Sequence, residues 1–141
     1  MGKINHIEIF NGEHLADFHK YEDYRTSFAS KKILGGGVVL TLIHEIDYFL
    51  DLFSDYKIKI ISSHISKNSK LDIDVEDTLN SSFLVTKKGE KFTVNLHLNY
   101  YTRPKKRYIK IILEKGILYA DLTKNYFQKY SNKLVFKKRF L

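Results

Sequence analysis

The chain is 141 residues long, 43% hydrophobic and free of cysteine, which suits one domain with its own core and excludes disulfides, thiolate catalysis, cysteine zinc sites and iron–sulfur ligation. Its net charge of +8, from 24 basic and 16 acidic residues, invites an anionic partner: nucleic acid, a membrane surface or a phosphorylated small molecule. No run approaches the roughly 18 apolar residues of a membrane span and the amino terminus lacks the order of a secretory signal, so a soluble, cytoplasmic protein is expected.

The Met1-Gly2 start is no lipidation signal, because His6 stands where myristoylation requires Ser or Thr. Acidic residues concentrate before Asn80 and basic ones from Lys87 onward, with clusters at Arg103, Lys105, Lys106, Arg107, Lys110 and at Lys133, Lys137, Lys138, Arg139. This distribution fits a partly solvated surface, or support for an anionic small ligand, better than a nucleic-acid track. Neither a nucleic acid nor a membrane is expected as a partner.

In chain order, residues 4–10 read as a strand, and 11–24 as an ordered polar, aromatic loop leading into a short helix over 26–33. Gly35-Gly36-Gly37 frees the backbone for a tight approach. Residues 38–53 carry the clearest helical period: Val39, Leu42, Ile43, Ile46, Phe49, Leu50 and Phe53 share a face that should pack on a sheet. Thr41, His44, Asp47, Tyr48 and Asp51 share the other.

Thereafter the period falls toward two, predicting strands at 57–65, 78–86, 91–101, 107–113, 117–122, 126–130 and 133–140. Phe92, Val94, Leu96, Leu98 and Tyr100 alternate with Thr93, Asn95, His97 and Asn99, as in a strand with one buried and one polar face. Lys87-Lys88-Gly89-Glu90 and Lys115-Gly116 supply turns, and Pro104 lies between strands. The expected architecture is a single α+β domain over residues 1–141, a predominantly antiparallel open sheet with helices packed on one face.

His44 and Asp47, at i and i+3, meet on one helix surface, with Thr41 a turn before. A histidine there can exchange a proton near neutral pH with the carboxylate fixing its tautomer, or the two can form a plain helix-surface pair. His14 and His19 read as loop anchors, and no metal site is expected. Tyr21, Tyr24 and Arg25 could hold a hydroxyl-rich ligand or cover the sheet edge. Asp72, Asp74, Glu76 and Asp77 fail the calcium-loop order and read as a solvated acidic turn.

The runs Gly12-Glu13-His14-Leu15-Ala16-Asp17-Phe18-His19, Tyr21-Glu22-Asp23-Tyr24-Arg25-Thr26-Ser27-Phe28-Ala29 and Gly35-Gly36-Gly37 through His44-Glu45-Ile46-Asp47-Tyr48 occur in order. Asp72-Ile73-Asp74-Val75-Glu76-Asp77-Thr78, Tyr100-Tyr101-Thr102-Arg103-Pro104 with Arg107, and Glu114-Lys115-Gly116-Ile117 follow. Together they resemble the carboxy-terminal domain of the Gfo/Idh/MocA oxidoreductases, with a looser likeness to the branch acting on sugars or nucleotide sugars in bacterial surface-glycan pathways.

The resemblance implies a GAPDH-type carboxy-terminal domain that binds the sugar and forms a homo-oligomer through its open sheet face. It implies catalytic roles for His44, Asp47 and Thr41, and substrate contacts at Tyr21, Tyr24, Arg25 and Arg103. Thr41 departs from the pattern, standing where an acidic residue is expected. NAD or NADP would be held, and a lysine supplied, by a Rossmann domain that this chain lacks, so no cofactor site is expected within it and a separate Rossmann-domain partner is possible. The chain alone is then expected to be inactive. The other reading is a noncatalytic oligomeric or sugar-binding module from a truncated gene.

Overall fold

A computed structural model describes residues 1–131 and 134–139. Strand β1 (Ile4–Gly12) is followed by four short 3-10 turns, at Leu15–Asp17, Tyr24–Thr26, Phe28–Ser30 and Lys32–Leu34. Helices α1 (Val38–Thr41) and α2 (His44–Leu52) come next. Then come β2 (Lys57–Ser66), β3 (Thr78–Lys87), β4 (Glu90–Asn99), β5 (Lys106–Leu113), β6 (Gly116–Asp121), β7 (Tyr126–Ser131) and β8 (Leu134–Arg139). The predicted final strand began at Lys133 and ended at Phe140, both outside the described residues.

The strands form one sheet in the order β2-β3-β4-β1-β5-β6-β7-β8. Among the described residues, only β1 and β4 run parallel; every other neighbouring pair is antiparallel. The helices and turns lie on one face, so the fold is the α+β open sheet that the sequence predicts.

Strand alternation sets the two faces. Ile7 and Ile9 of β1 stand in register with Val94 and Leu96 of β4 and with Ile111 and Ile109 of β5. With Leu79, Val85, Phe92 and Leu98 they form the core beneath the helices. The opposite face carries the row His97, Phe10, Tyr108, Asp121 and Tyr126 across five strands. Rings in that row stack: Phe10 lies 5.3 Å from both His97 and Tyr108.

Two helical expectations are corrected. Residues 26–33 form separate 3-10 turns, because Ser27 and Lys31 adopt extended backbone between them. The single helix over 38–53 is broken at Leu42-Ile43, with a 46° bend between Lys32–Thr41 and His44–Leu52. Among the described residues, no single helix is long and apolar enough to cross a membrane.

The helical face also differs. Val38, Leu42, Glu45 and Phe49 are buried, a stripe at i, i+4, i+7 and i+11, whereas Leu50 is exposed. The stripe is thus rotated about the axis away from Ile43 and Leu50 and toward Glu45. The cause lies on the sheet: Arg107 occupies the helix-facing side of β5 beside Asn11 of β1, and a guanidinium there requires a carboxylate.

Candidate functional site

The glycine triplet builds the approach to the helices. Gly35, at φ 77°, ends the preceding turn in the left-handed conformation. Gly36 passes close over the Phe28–Ser30 turn, where an added Cβ would fall 2.7 Å from the Ala29 carbonyl oxygen. Gly37, at φ 109°, lies against the Glu76 carboxylate. Glu76 accepts from the Val38 amide through its carbonyl at 3.1 Å and from the Val39 amide through Oε1 at 3.3 Å. A side-chain carboxylate therefore fills the start of α1.

Asp77 organises the neighbouring loop. It is fully buried and accepts from the amides of Asn68 and Ser69 at 2.8 and 2.9 Å and from the hydroxyls of Ser69 and Thr78 at 2.6 and 2.8 Å. Burial pushes its carboxyl up, but those hydrogen bonds outweigh it and hold the group below the ordinary 3.8. The solvated acidic turn is therefore half wrong. Asp72 and Asp74 are exposed, while Asp77 is interior and Glu76 faces the helix start.

His44 opens α2 with its side chain 77% exposed, and its Nδ1 lies 3.9 Å from Asp47 Oδ2, itself largely exposed. These two face outward together, as the spacing predicts. Thr41 does not join them: at the end of α1, its buried hydroxyl lies beside the Tyr100 phenol without completing a good hydrogen bond. Tyr48, expected on the exposed face, is half-buried with an unpartnered hydroxyl. Burial, and secondarily the charge of Glu45, pushes its phenol well above the ordinary value.

Directly beneath His44 is a polar cluster that the sequence reading missed. Glu45, 1% exposed, receives the Arg107 Nε in a short ion pair and the Asn11 amide nitrogen at 3.0 Å. The signal was present: Asn11 and Arg107 continue the apolar alternations of Ile7-Ile9 and Ile109-Ile111 on the same sheet face. A charged residue on such a stripe calls for a buried partner.

The other expected contacts are more dispersed. Tyr21 is 88% exposed and stacks on His19, and the Tyr24 hydroxyl accepts from the Asp72 amide at 3.3 Å. Arg25 is engaged by Asp23, with Nη2 2.6 Å from Oδ2. Arg103 is engaged by Asp17, with Nε 2.7 Å from Oδ2. Both arginines are exposed; Arg25 pairs within its own turn, whereas Arg103 reaches from the β4–β5 connection to the Leu15–Asp17 turn. His14 anchors its loop, accepting from the Ala16 amide at 3.3 Å. Among the described residues, no group of three or more metal-ligating side chains could hold an ion.

The residues present do not fit a nicotinamide dinucleotide. Among the described residues, the parallel pair of β1 and β4 belongs to no Rossmann-type arrangement, and the glycine-led α1 presents Glu76 where a phosphate would need free amides.

No protein-family model matches the chain, and no curated protein matches it. Solved structures do. An inositol dehydrogenase homolog from Azotobacter vinelandii, complexed with NAD+, superposes with TM-score 0.71 at 14% identity, over 98% of this chain and 37% of that one. KijD10, a 3-ketoreductase from Actinomadura kijaniata in complex with NADP, gives TM-score 0.71 at 11% identity over 98% and 41%. UDP-N-acetylglucosamine 3-dehydrogenase from Acidithiobacillus ferrooxidans gives 0.64 at 13% identity over 99% and 40%. The likeness to Gfo/Idh/MocA oxidoreductases thus holds at the level of fold. This chain spans about two fifths of the proteins it matches.

Proposed function

We propose that this chain is the substrate-binding and oligomerising part of an NAD(P)-dependent sugar or nucleotide-sugar oxidoreductase. His44 moves the proton of a substrate hydroxyl, and Asp47 holds its imidazole. The observation that carries this reading is the outward pair on a fixed base: His44 and Asp47 stand exposed on a helix whose inner side is tied to two strands through Glu45, Arg107 and Asn11. The turns and helices around them also expose Ile33, Leu34, Leu40, Leu50 and Leu52, apolar surface suited to a docking cofactor-binding domain. That domain supplies the nicotinamide and its hydride chemistry; the residues here bind and orient the sugar and handle the proton. Tyr21, Tyr24, Arg25 and Arg103 provide substrate contacts, the arginines after exchanging their present carboxylate partners. The open sheet face meets a second copy, and the setting is cytoplasmic, in surface-polysaccharide synthesis.

Calorimetry of the chain with UDP-N-acetylglucosamine and with myo-inositol tests the binding role. Saturable heat with either supports it, and no heat with these or other nucleotide sugars removes it. The chain alone should not reduce NAD or NADP; absorbance change on mixing with sugar and cofactor would contradict this.

Thr41 favours a second reading, a noncatalytic oligomeric or sugar-binding module, because its hydroxyl is buried beside the Tyr100 phenol. In the protein carrying the cofactor-binding domain, His44→Ala should depress kcat far more than it raises KM. Unchanged turnover would favour the noncatalytic module.

A further inference from the structure

Strand β2 is the last strand on its side of the sheet and pairs with β3 alone. Among the described residues, no backbone group of residues 58–65 makes a hydrogen bond beyond that ladder. An open edge of this length is a template for another strand. It is also apolar: Ile60, Ile61 and Ile65 are 61%, 57% and 54% exposed. The unpaired backbone groups point along the sheet and away from both of its faces. Neither a copy on the open face nor a domain docked on the helices satisfies them.

Pairing with β3 fixes the side on which each residue stands. Ile58, Ile60, Ser63 and Ile65 oppose Val85, Phe83, Ser81 and Leu79 on the helical side, while Lys57, Lys59, His64 and Ser66 stand on the open side. The two halves meet at a bulge, where Ile61 has no partner on β3. That extra residue decides whether the strand can pair with itself. A regular strand with an even number of residues, laid antiparallel on its own copy about a two-fold axis, sets residues of opposite faces against each other along its whole length. The bulge near the middle restores the match. Lys57 then falls across from Ser66 of the second copy, Ile58 from Ile65, Lys59 from His64 and Ile60 from Ser63, each pair on one face. No lysine of β2 stands across from another. Sliding the strands until Lys59 meets itself would bring like charges together, so the lysines and the bulge that guard this edge select one register.

We propose that β2 pairs with β2 of a second copy about a two-fold axis at Ile61-Ser62, continuing the sheet from one copy into the next. The axis is normal to the sheet and keeps both open faces on one side and both sets of helices on the other. The contact therefore coexists with a copy on the open face and does not depend on it. On the helical side, Ile58 and Ile65 cover each other at both ends of the pair. The two Lys59 side chains lie about 17 Å apart along the strands, beyond the roughly 8 Å over which exposed charges act at physiological ionic strength.

The chain has no cysteine, so introduced thiols report the register. Lys59→Cys and His64→Cys, both at exposed positions, are made in separate full-length chains and oxidised alone and as a mixture. Residues paired across a ladder come within disulfide reach, a Cα separation of about 4.4–6.8 Å. The mixture should cross-link at least about tenfold faster than Lys59→Cys alone. In sedimentation, His64→Glu sets a carboxylate across from Lys59 twice and should tighten association severalfold, whereas Lys59→Glu combined with His64→Glu should weaken it severalfold. No cross-link in the mixture, equal cross-linking of Lys59→Cys with itself, or an association indifferent to both charge changes would overturn the proposal. A dimer that persists in light scattering without the cross-link would also overturn it while leaving the open-face contact standing, so the two contacts fail separately.

Discussion

Glu45 carries more structural consequence than the histidine beside it. It is buried and bonded to both Arg107 and Asn11, so Glu45→Ala leaves a guanidinium and an amide without their partner and should destabilise the fold by about 3–5 kcal/mol. Replacing both members, Glu45→Met with Arg107→Met, should recover most of that loss, because two apolar side chains remove both desolvated charges together. Urea unfolding of the three proteins checks this; a double variant as unstable as the single one would contradict it. His44→Ala, by contrast, should change stability by no more than about 0.5 kcal/mol, since the side chain is largely solvated.

Asp77 supplies a pH-dependent contribution with a definite sign. Its folded carboxyl titrates below the ordinary 3.8, so its stabilisation is present above about pH 4 and is lost as pH falls through the depressed folded value. Asp77→Asn should cost about 2 kcal/mol at neutral pH, and the gap from the parent chain should close on acidification. A gap that stays constant from neutral to acid pH, measured by urea midpoints, would show that the charge is not what the loop amides hold.

For the elements, the strands were legible because each alternates between a packed and an unpacked face; β2 and β3 were read to within one residue at one end. The helical region was less so. Hydrophobicity alone centres the buried stripe on Ile43, Ile46 and Leu50, and only the distant Arg107 draws Glu45 inward. Partnering across 62 residues of chain is not visible to a local period. The turns over residues 24–34 escaped for a related reason: each is closed by its own short bonds, such as Thr26 to Asp23 and Ser30 to Ser27, with no period to reveal it. The glycine triplet, by contrast, announced a close approach, and Glu76 is what it approaches. Gly37→Ala should lower stability by about 2 kcal/mol through strained backbone and contact with Glu76. Gly35→Ala meets open space and should cost less. Thermal unfolding that ranked the two in reverse would contradict this account of α1.

Across the whole molecule, the sheet divides the chemistry. Its helical side carries His44 and Asp47 above a buried ionic anchor, and its open side carries a stacked aromatic row flanked by lysines. The proposed assembly would place a second copy on this aromatic row, since Tyr and Phe give interface area at low ordering cost. Light scattering should report a dimer or larger assembly at working concentration; a stable monomer would remove that role. The candidate site was half legible in the sequence. His44 and Asp47 follow from helix spacing, but Thr41 turned inward and Arg25 and Arg103 were already paired, outcomes that depend on contacts rather than spacing.

The central claim is that His44 faces the bound sugar. Its imidazole C–H resonances, assigned by comparison with His44→Ala and followed while UDP-N-acetylglucosamine or myo-inositol is added, test that claim most directly. A saturable shift at His44, with no matching shift at the solvent-facing His64 on β2, is the expected result. A ligand that binds by calorimetry yet leaves the His44 resonances unmoved would contradict it.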